Sequence, residues 1–291
     1  MRRSMLFLPG NTPNMLINGS CLGADAVIFD LEDAVSPAEK DSARILVRNT
    51  MRYMDFKGCE RIVRINSIDT PYWKKDIDTI APEKPDLILL PKTSSAQDVL
   101  EADAYLTEKE ETLGLPRNTI ALMPLIETAL GVENAYSIAS ATKRVKAMLL
   151  GAEDLTADLQ CKRTKEGREI EYARTRLVVA AKAAGIAVYD TPFTDVNDDE
   201  GIQIDAACAK ALGFSGKAAI SPRHVEVINQ VFSPTQKEID YAYEVMDAIT
   251  QAEAQGRGVI ALHGKMIDAP IVARARQTIA MAEALGLKRE V

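Results

Sequence analysis

Eight short apolar runs recur along this chain, and polar or charged residues follow nearly every one of them. Short apolar runs that alternate with helical stretches are typical of βα units and of a parallel sheet. Eight such units predict an α/β fold of the closed (β/α)₈ TIM-barrel class, in which chemistry takes place at the carboxyl ends of the strands. The predicted strands are Met5–Pro9, Ala26–Phe29, Ile62–Ile65, Leu87–Leu90, Ile120–Ile126, Ala147–Leu150, Ile186–Tyr189 and Ala218–Ile220.

Helix signals lie between these runs. Ser95 is an N-cap candidate ahead of a stretch rich in Glu, Ala and Leu. The stretches Glu171–Ala184 and Asp205–Leu212 both have apolar residues at helical spacing, and a glycine follows each of them. A barrel of this class takes about 250 residues. We therefore predict a barrel domain over residues 1–232 and a C-terminal extension over residues 233–291.

The extension carries its own helix signals. Thr235 and Glu238 form a capping box ahead of apolar residues at helical spacing. The segment Gly256–Pro270 predicts a turn, a short strand and a loop, and a last helix is expected from about Ile271 to Leu285. One part of the chain after the eighth strand must complete the barrel as its eighth helix. We expect the remainder to pack on a neighbouring subunit.

Charge and hydropathy exclude several classes of protein. A net charge of −7 argues against binding to a phosphate backbone as the main task. No apolar run approaches the roughly 18 residues that a membrane span needs. The basic and apolar start resembles a signal peptide, but its apolar stretch is short and meets Pro9 and Gly10 without a cleavage site. We interpret it as the first strand.

Cysteine and histidine usage narrows the site chemistry. The absence of a C-x-x-C pair gives no support to a zinc or redox motif, so free thiols in a reducing cytoplasm are expected. Two histidines are too few for a multi-histidine metal site. The residues are Cys21, Cys59, Cys161, Cys208, His224 and His263.

Two acids at neighbouring strand ends are candidate metal ligands. Glu127 follows the fifth run and Asp154 the sixth, and adjacent strands lie about 4.8 Å apart. Two carboxylates there can share a hard cation such as Mg²⁺, which completes its octahedron with water and substrate oxygens. Glu153 would point the other way in an extended chain, and spacing alone does not choose between Glu153 and Asp154. Alternatively, these acids cap the helices that follow the two strands.

Two cations also follow predicted strands. Alternation in the third run places Arg64 on the same face as Ile62, where its planar fork would suit a substrate carboxylate. A surface ion pair is the alternative for Arg64, and Arg61 is the better surface candidate. Lys92 ends the fourth run, and we favour an ion pair with nearby acids over a Schiff base for it.

The sequence does not decide the roles of three further acids. Glu32 and Asp33 follow the second run, where they would orient metal-bound water or Lys92, or else begin a helix. Asp268 lies in the extension, and taken alone it is a loop acid ahead of the last helix.

These residues stand in segments that resemble the HpcH/HpaI aldolase family, which includes citrate lyase β subunits and the malyl-CoA and citramalyl-CoA lyases. The resemblance covers nearly the whole chain, and the opening and Ser233–Glu238 are most similar to the citrate lyase β branch. The matching segments are Arg3–Gly10, Phe29–Val35, Arg64–Asn66, Leu90–Lys92, Ile126–Thr128, Gly151–Asp154 and Gly264–Asp268.

The resemblance implies roles for individual residues. It makes Glu127 and Asp154 ligands of Mg²⁺, and it makes Arg64 the group that binds the substrate carboxylate. The substrate would lie against Glu127 and the backbone of Gly151, Ala152 and Glu153. Asp268 would act as a catalytic acid in a neighbouring subunit's site, which implies a homo-oligomer, a trimer or hexamer.

The function that follows is Mg²⁺-dependent cleavage of a citryl thioester to oxaloacetate and an acetyl thioester. The thioester is carried by CoA or by the phosphopantetheine of an acyl carrier protein among other citrate lyase subunits. Citramalyl-CoA or malyl-CoA is the alternative substrate. A Schiff-base aldolase that uses Lys92 and a catalytically idle assembly subunit are the remaining alternatives. Neither nucleic acid nor membrane is an expected partner.

Overall fold

Eight parallel strands close into a barrel in the computed structural model, which describes residues 1–56, 58–254 and 260–289. Each strand pairs with its neighbours in chain order, and β8 returns to pair with β1. This confirms the predicted fold class. The strands are β1 Ser4–Pro9, β2 Ala26–Asp30, β3 Glu60–Arg64, β4 Leu87–Leu90, β5 Ala121–Ile126, β6 Ala147–Leu150, β7 Ala187–Asp190 and β8 Gly216–Ala219.

Helices follow the strands around the outside of the barrel. They are α1 Pro13–Asn18, α2 Lys40–Tyr53, α3 Trp73–Ile80, α4 Ala96–Thr112, α5 Ala129–Glu133, α6 Ala135–Ala139, α7 Ala152–Asp158, α8 Glu171–Ala184, α9 Asp199–Leu212 and α10 Pro222–Phe232. None of the described helices is long and apolar enough to cross a membrane.

Strand alternation divides the core into two layers. One set of strand residues, which includes Met5, Ile28 and Ile62, fills the barrel interior. The alternate set, which includes Val27 and Val63, packs against the helices. The strand ends therefore fix which side chains face the barrel mouth, and Arg64 lies on the interior face together with Ile62.

Helix ends agree with their sequence signals. Ser95 Oγ accepts from Asp98 N–H, and the Asp98 side chain accepts from the Ser95 backbone, so both halves of a capping box are present at α4. Helix α8 ends at Gly185, whose φ of 71° is a left-handed conformation that glycine adopts without strain.

Several predicted boundaries differ from those of the structure, and two of the differences have a clear physical cause. Helix α9 begins at Asp199 and not at Asp205, because the Asp198 side chain accepts a hydrogen bond from Gly201 N–H and caps the helix a turn and a half earlier. Strand β8 spans Gly216–Ala219 and not residues 218–220, because a buried lysine, Lys217, lies inside it. A charged residue breaks the apolar pattern from which the strand was predicted.

The chain divides into two compact units, Arg2–Phe232 and a second unit that holds the described residues from Ser233 onward. The second unit contains α11 Gln236–Ala254, β9 Ile260–Leu262, β10 Lys265–Ile267 and α12 Ala269–Ala284. Its apolar core includes Ala242, Val245 and Ile267. The single predicted strand is in fact an antiparallel pair, and the predicted turn at residues 256–258 lies outside the described residues.

Candidate active site

A cavity of about 520 Å³ opens at the carboxyl ends of the strands. Acids and apolar side chains dominate its wall, and Arg64 is the only cation among the described lining residues. In a barrel of this class this face is where catalytic residues gather. The lining residues are Phe7, Pro9, Met15, Asp30, Asp33, Ala34, Arg64, Leu125, Glu127, Leu149, Leu150, Gly151, Ala152, Glu153, Asp154, Thr191, Pro192 and Ile220.

Asp30 clamps Arg64 in the barrel mouth. The two residues are direct partners in the register of β2 and β3. Arg64 Nε and Nη2 donate to the two carboxylate oxygens of Asp30 at 2.8 and 2.6 Å, and the guanidinium lies 5.2 Å from the Phe7 ring centroid. The Arg64 side chain is 12% exposed, so it is not the surface arginine of the alternative interpretation. A planar cation held in this way has a fixed direction toward the cavity.

The charge on Arg64 is heavily compensated. Its Nη1 lies 3.0 Å from Glu32 Oε2 and 3.8 Å from Asp33 Oδ2. Burial by itself lowers the pKa of Arg64, but hydrogen bonds to Asp30 and the charges of Asp30, Glu32 and Asp33 raise it above its ordinary value. The guanidinium is therefore charged at every working pH, and only the N–H groups of Nη1 and Nη2 that do not face Asp30 or Glu32 remain to bind an anion.

Glu32 links Arg64 to Lys92. Lys92 Nζ lies 3.2 Å from Glu32 Oε1 and 3.8 Å from Asp33 Oδ1. Lys40 Nζ donates to the backbone oxygens of Leu31 and Glu32 at 2.8 and 2.7 Å and fixes this loop. The structure thus brings the three predicted supporting residues together beside Arg64.

The environment of Lys92 favours an ion pair over a nucleophilic amine. Burial lowers the pKa of Lys92, but Glu32, Asp33 and Asp154 outweigh burial and raise it. A Schiff-base lysine needs a lowered pKa, because only the neutral amine attacks a carbonyl. The side chain of Lys92 pairs with the acids after β2, whereas its contact with Glu127 comes from its backbone.

Glu127 is a buried carboxylate held by one backbone donor. It is 2% exposed, and its Oε1 accepts from Lys92 N–H at 2.7 Å. Burial raises the pKa of Glu127 to about 8, and the negative charges of Glu32 and Asp154 act in the same direction. A buried acid without a matching cation is costly in the folded protein, and a divalent ion would remove that cost.

We predict that Glu127→Gln stabilises the metal-free protein at pH 8 and not at pH 5. The folded pKa of about 8 lies above the ordinary 4.5, so the folded state holds a proton that the unfolded chain has lost. Stability therefore falls as pH rises from 4.5 toward 8, at about 1.4 kcal/mol per unit of pKa difference. Gln keeps an acceptor for Lys92 N–H and carries no charge.

Thermal unfolding in EDTA at the two pH values measures this difference. We expect the midpoint of the Glu127→Gln variant to exceed that of the wild type by several degrees at pH 8. Glu153→Gln, at an exposed neighbouring acid, is the matched control and should show no such gain. A Gln variant that is less stable than the wild type at pH 8 would contradict the burial of an uncompensated charge.

The backbone from Gly151 to Asp154 passes close to Glu127. A Cβ on Gly151 would lie 2.6 Å from Glu127 Oε2, so only glycine permits this approach. Asp154 lies in the first turn of α7 and lines the cavity, and its charge acts on Glu127. Glu153 also reaches the cavity wall, but its side chain is 63% exposed and lies 3.6 Å from Arg163 Nε. Burial and charge coupling therefore favour Asp154 as the partner of Glu127.

The donor set fits Mg²⁺. Glu127 and Asp154 offer hard carboxylate oxygens, and no group of three His, Cys, Asp or Glu side chains in metal-binding geometry occurs in the described part of the chain. Mg²⁺ is usually bound through one or two carboxylates, with water and substrate completing the octahedron. A zinc or multi-histidine site would need more protein ligands than this cavity provides.

Two residues of the site escaped prediction. Asp30, the clamp of Arg64, ends β2, and Thr191 follows β7, where its Oγ1 accepts from Ala152 N–H at 3.1 Å. Both obey the rule that functional side chains lie at strand ends, so that rule could have found them. No pattern in the sequence reveals that Lys40 reaches back to the loop after β2.

Asp268 belongs to the second unit. It is exposed, precedes α12 directly, and its side chain accepts from Ile271 N–H at 3.2 Å as an N-cap.

Comparison with known proteins identifies relatives along the whole chain. A family model described as HpcH/HpaI aldolase/citrate lyase matches residues 3–222. The citrate lyase subunit beta of Leuconostoc mesenteroides subsp. cremoris is 45% identical over 284 residues, which cover 98% of this chain and 94% of that protein. A (3S)-malyl-CoA thioesterase of Cereibacter sphaeroides (strain ATCC 17025) is 36% identical over 284 residues, which cover 98% and 95%.

A solved structure has the same fold over nearly the full length. The protein CitE from Mycobacterium tuberculosis, in complex with magnesium, acetoacetate and coenzyme A, superposes with a TM-score of 0.79 at 31% identity. The match covers 97% of this chain and 98% of that one.

Proposed function

We propose that this chain, which belongs to the HpcH/HpaI aldolase/citrate lyase family and is a carbon–carbon lyase, acts on a citryl thioester. The products would be oxaloacetate and an acetyl thioester. The observation that carries this proposal is one cavity whose wall holds two carboxylates, Glu127 and Asp154, together with an arginine, Arg64, that Asp30 holds in place. The 45% identity to a citrate lyase subunit beta supports the choice of substrate.

In this mechanism the bond between the carbinol carbon and the methylene next to the thioester breaks. The hydroxyl gives its proton to water, its oxygen becomes the keto oxygen of oxaloacetate, and the bonding pair passes to the thioester methylene. Glu127 and Asp154 would hold Mg²⁺, which would act as a Lewis acid on the substrate hydroxyl. Magnesium in the complex of the Mycobacterium tuberculosis relative supports this assignment.

Arg64 holds the oxo-acid half of the substrate. Asp30 accepts from Nε and Nη2, and Nη1 lies 3.0 Å from Glu32, so the guanidinium is held rigidly and only its remaining N–H groups are left for the substrate. Preorganised donors stabilise developing charge without reorganisation at the moment of reaction. Glu32 and Lys92 keep that frame in place through their ion pairs.

The thioester enolate that remains needs a proton, and we assign its delivery to Asp268 of a neighbouring subunit. An acid in a partly closed site can give this proton in cleavage and remove it in the reverse reaction. Cyclic symmetry gives every barrel one such tail, so the proposal requires a homo-oligomer, and we propose a trimer or hexamer. The exposure of Asp268 in its own unit leaves it accessible to a partner.

Asp268→Asn should separate proton transfer from binding. Asn is as good an N-cap as Asp, so α12 keeps its start, but an amide cannot shuttle the proton. We expect the variant to bind Mg²⁺ and oxaloacetate normally and to lose proton exchange at the methyl of acetyl-CoA, as followed by NMR in D₂O. Retention of normal exchange would remove Asp268 from the mechanism.

Mixed oligomers test whether the tail acts across subunits. Asp268→Asn and Arg64→Ala subunits, exchanged and verified as mixed, should regenerate some sites that contain one intact barrel and one intact tail. No recovered activity would mean that Asp268 works within its own chain or not at all, and a fully active monomer would exclude tail exchange.

The substrate itself is tested by a product assay with citryl-CoA, citramalyl-CoA and malyl-CoA, each with Mg²⁺ and with EDTA. We expect oxaloacetate from citryl-CoA with the highest kcat/KM, and no turnover in EDTA. A preference for malyl-CoA would favour the second candidate, which the 36% identity to a (3S)-malyl-CoA thioesterase supports. Turnover that survives EDTA, with borohydride trapping on Lys92, would indicate the Schiff-base mechanism.

The carrier and the cell compartment complete the proposal. CoA and the prosthetic group of an acyl carrier protein end in the same phosphopantetheine arm, so we propose that the cavity accepts either, with other citrate lyase subunits as partners. The cysteines of the chain are free thiols, in keeping with a reducing cytoplasm.

A further inference from the structure

One hydroxyl proton in the cavity wall has no acceptor among the residues that the structure describes. Thr191 lines the cavity and is 1% exposed. Its Oγ1 accepts a hydrogen bond from Ala152 N–H at 3.1 Å, and a hydroxyl that accepts still has one proton to donate. A buried donor without an acceptor is costly, so this proton is available to a group inside the cavity.

A buried ion cluster fixes the backbone of Thr191. Lys217 Nζ donates to the Thr191 carbonyl oxygen and to Asp190 Oδ2, both at 2.6 Å, and lies 2.6 Å from Asp205 Oδ2. Arg174 bridges Asp190 and Asp205 from outside the barrel, with Nη2 at 2.8 and 2.6 Å. Two cations and two carboxylates balance in this cluster. Lys217 therefore holds the Thr191 carbonyl oxygen, and Ala152 N–H holds the Thr191 hydroxyl oxygen.

The cavity offers a substrate few donors. Thr191 is the only uncharged polar side chain among the described lining residues, and Arg64 is the only cation. Thr191 follows β7 and Arg64 ends β3, and these two strands lie on opposite sides of the eight-stranded barrel. All other polar side chains in the described lining are acids, which repel a carboxylate. A substrate with two carboxylates thus meets one donor side chain on each side of the cavity.

The candidate substrates differ in whether they carry a second carboxylate. A citryl group carries one carboxylate beside the hydroxyl and a second on a carboxymethyl group, where citramalyl has a methyl and malyl a hydrogen. We propose that the Thr191 hydroxyl donates a hydrogen bond to the carboxymethyl carboxylate, while Arg64 binds the carboxylate next to the carbinol carbon. The inference rests on the proposed function and names the residue that distinguishes citryl from the smaller thioesters. A hydrogen bond to a charged group is strong enough to provide that discrimination.

Oxaloacetate and pyruvate test this assignment, because they differ only by the carboxylate in question. Their dissociation constants are measured with Mg²⁺ for the wild type, Thr191→Val and Thr191→Ser. Val removes the hydroxyl at nearly constant shape and also leaves Ala152 N–H without its acceptor, a loss that weakens both ligands alike. Ser keeps the hydroxyl. Thr50→Val, at a buried threonine of α2 away from the cavity, is the control for the loss of a buried hydroxyl.

We expect Thr191→Val to weaken oxaloacetate about tenfold or more relative to pyruvate, and Thr191→Ser to restore the wild-type ratio to within about threefold. In Thr191→Val, the kcat/KM for citryl-CoA divided by that for citramalyl-CoA should fall in parallel. Equal weakening of both ligands, or no weakening, would overturn the role of Thr191 while leaving the proposed function intact. Failure of the wild type to cleave citryl-CoA would instead reject the proposed function.

Discussion

Glu127→Ala and Asp154→Ala should each reduce citryl-CoA cleavage by at least about 10³-fold, which corresponds to about 4 kcal/mol of transition-state stabilisation. Each substitution removes one of the two carboxylates that would hold Mg²⁺. Neither side chain contributes to the apolar core, so the far-ultraviolet circular dichroism spectrum should not change. A coupled assay for oxaloacetate at saturating Mg²⁺ measures the loss.

The matched control is Glu153→Ala, one position from Asp154 and largely exposed. It should retain activity within about threefold, because we expect its carboxylate to pair with Arg163 and not with a metal. If scrupulously metal-stripped Glu127→Ala or Asp154→Ala protein also retains activity within about threefold, the metal site lies elsewhere. Equal losses for Glu153→Ala and Asp154→Ala would mean that the choice between these neighbours is wrong.

Arg64→Lys should be the second most damaging change, with a loss in kcat/KM of at least about 10²-fold, or roughly 2.7 kcal/mol. Lysine keeps the positive charge but has no planar fork. It cannot donate to both oxygens of Asp30, reach Glu32 and face the substrate at the same time. Steady-state kinetics with citryl-CoA at several pH values measures the loss.

Arg61→Lys provides the control on the same strand. Arg61 donates to the Lys84 carbonyl oxygen and lies 3.8 Å from Asp86, away from the cavity lining, so its replacement should leave kcat/KM within about twofold. Near-normal activity of Arg64→Lys would show that the site needs only positive potential. If thermal stability falls in Arg64→Lys but not in Arg61→Lys, part of the loss in kcat/KM comes from the loss of the buried ion pair with Asp30.

The fold was predictable because its signal is repeated eight times. Each short apolar run ends within one residue of a strand end, and the alternation in the third run already placed Arg64 on the same face as Ile62. Polar residues inside strands were the weak point, since Lys217 and Glu60 have no apolar signature. The buried ion pairs that make Lys217 tolerable come from Asp190 and from Asp205, which no local pattern connects.

The site was predictable only in part. Their positions at strand ends predicted Glu127, Asp154 and Arg64. That Asp30 is the partner that fixes Arg64 could be identified only from the register between β2 and β3. Contacts of this kind depend on which strands become neighbours. Likewise the preference for Asp154 over Glu153 rests on burial and charge coupling.

Glu127 and Asp154 are expected to hold the metal on which the oxo acid binds. The most direct measurement is the anomalous scattering of Mn²⁺ in crystals grown with Mn²⁺ and oxaloacetate. We predict one strong peak at about 2.0–2.2 Å from oxygens of both carboxylates, with the remaining positions taken by water and oxaloacetate. A peak at any other acid, or an oxaloacetate bound at full occupancy in this cavity without metal between Glu127 and Asp154, would contradict it.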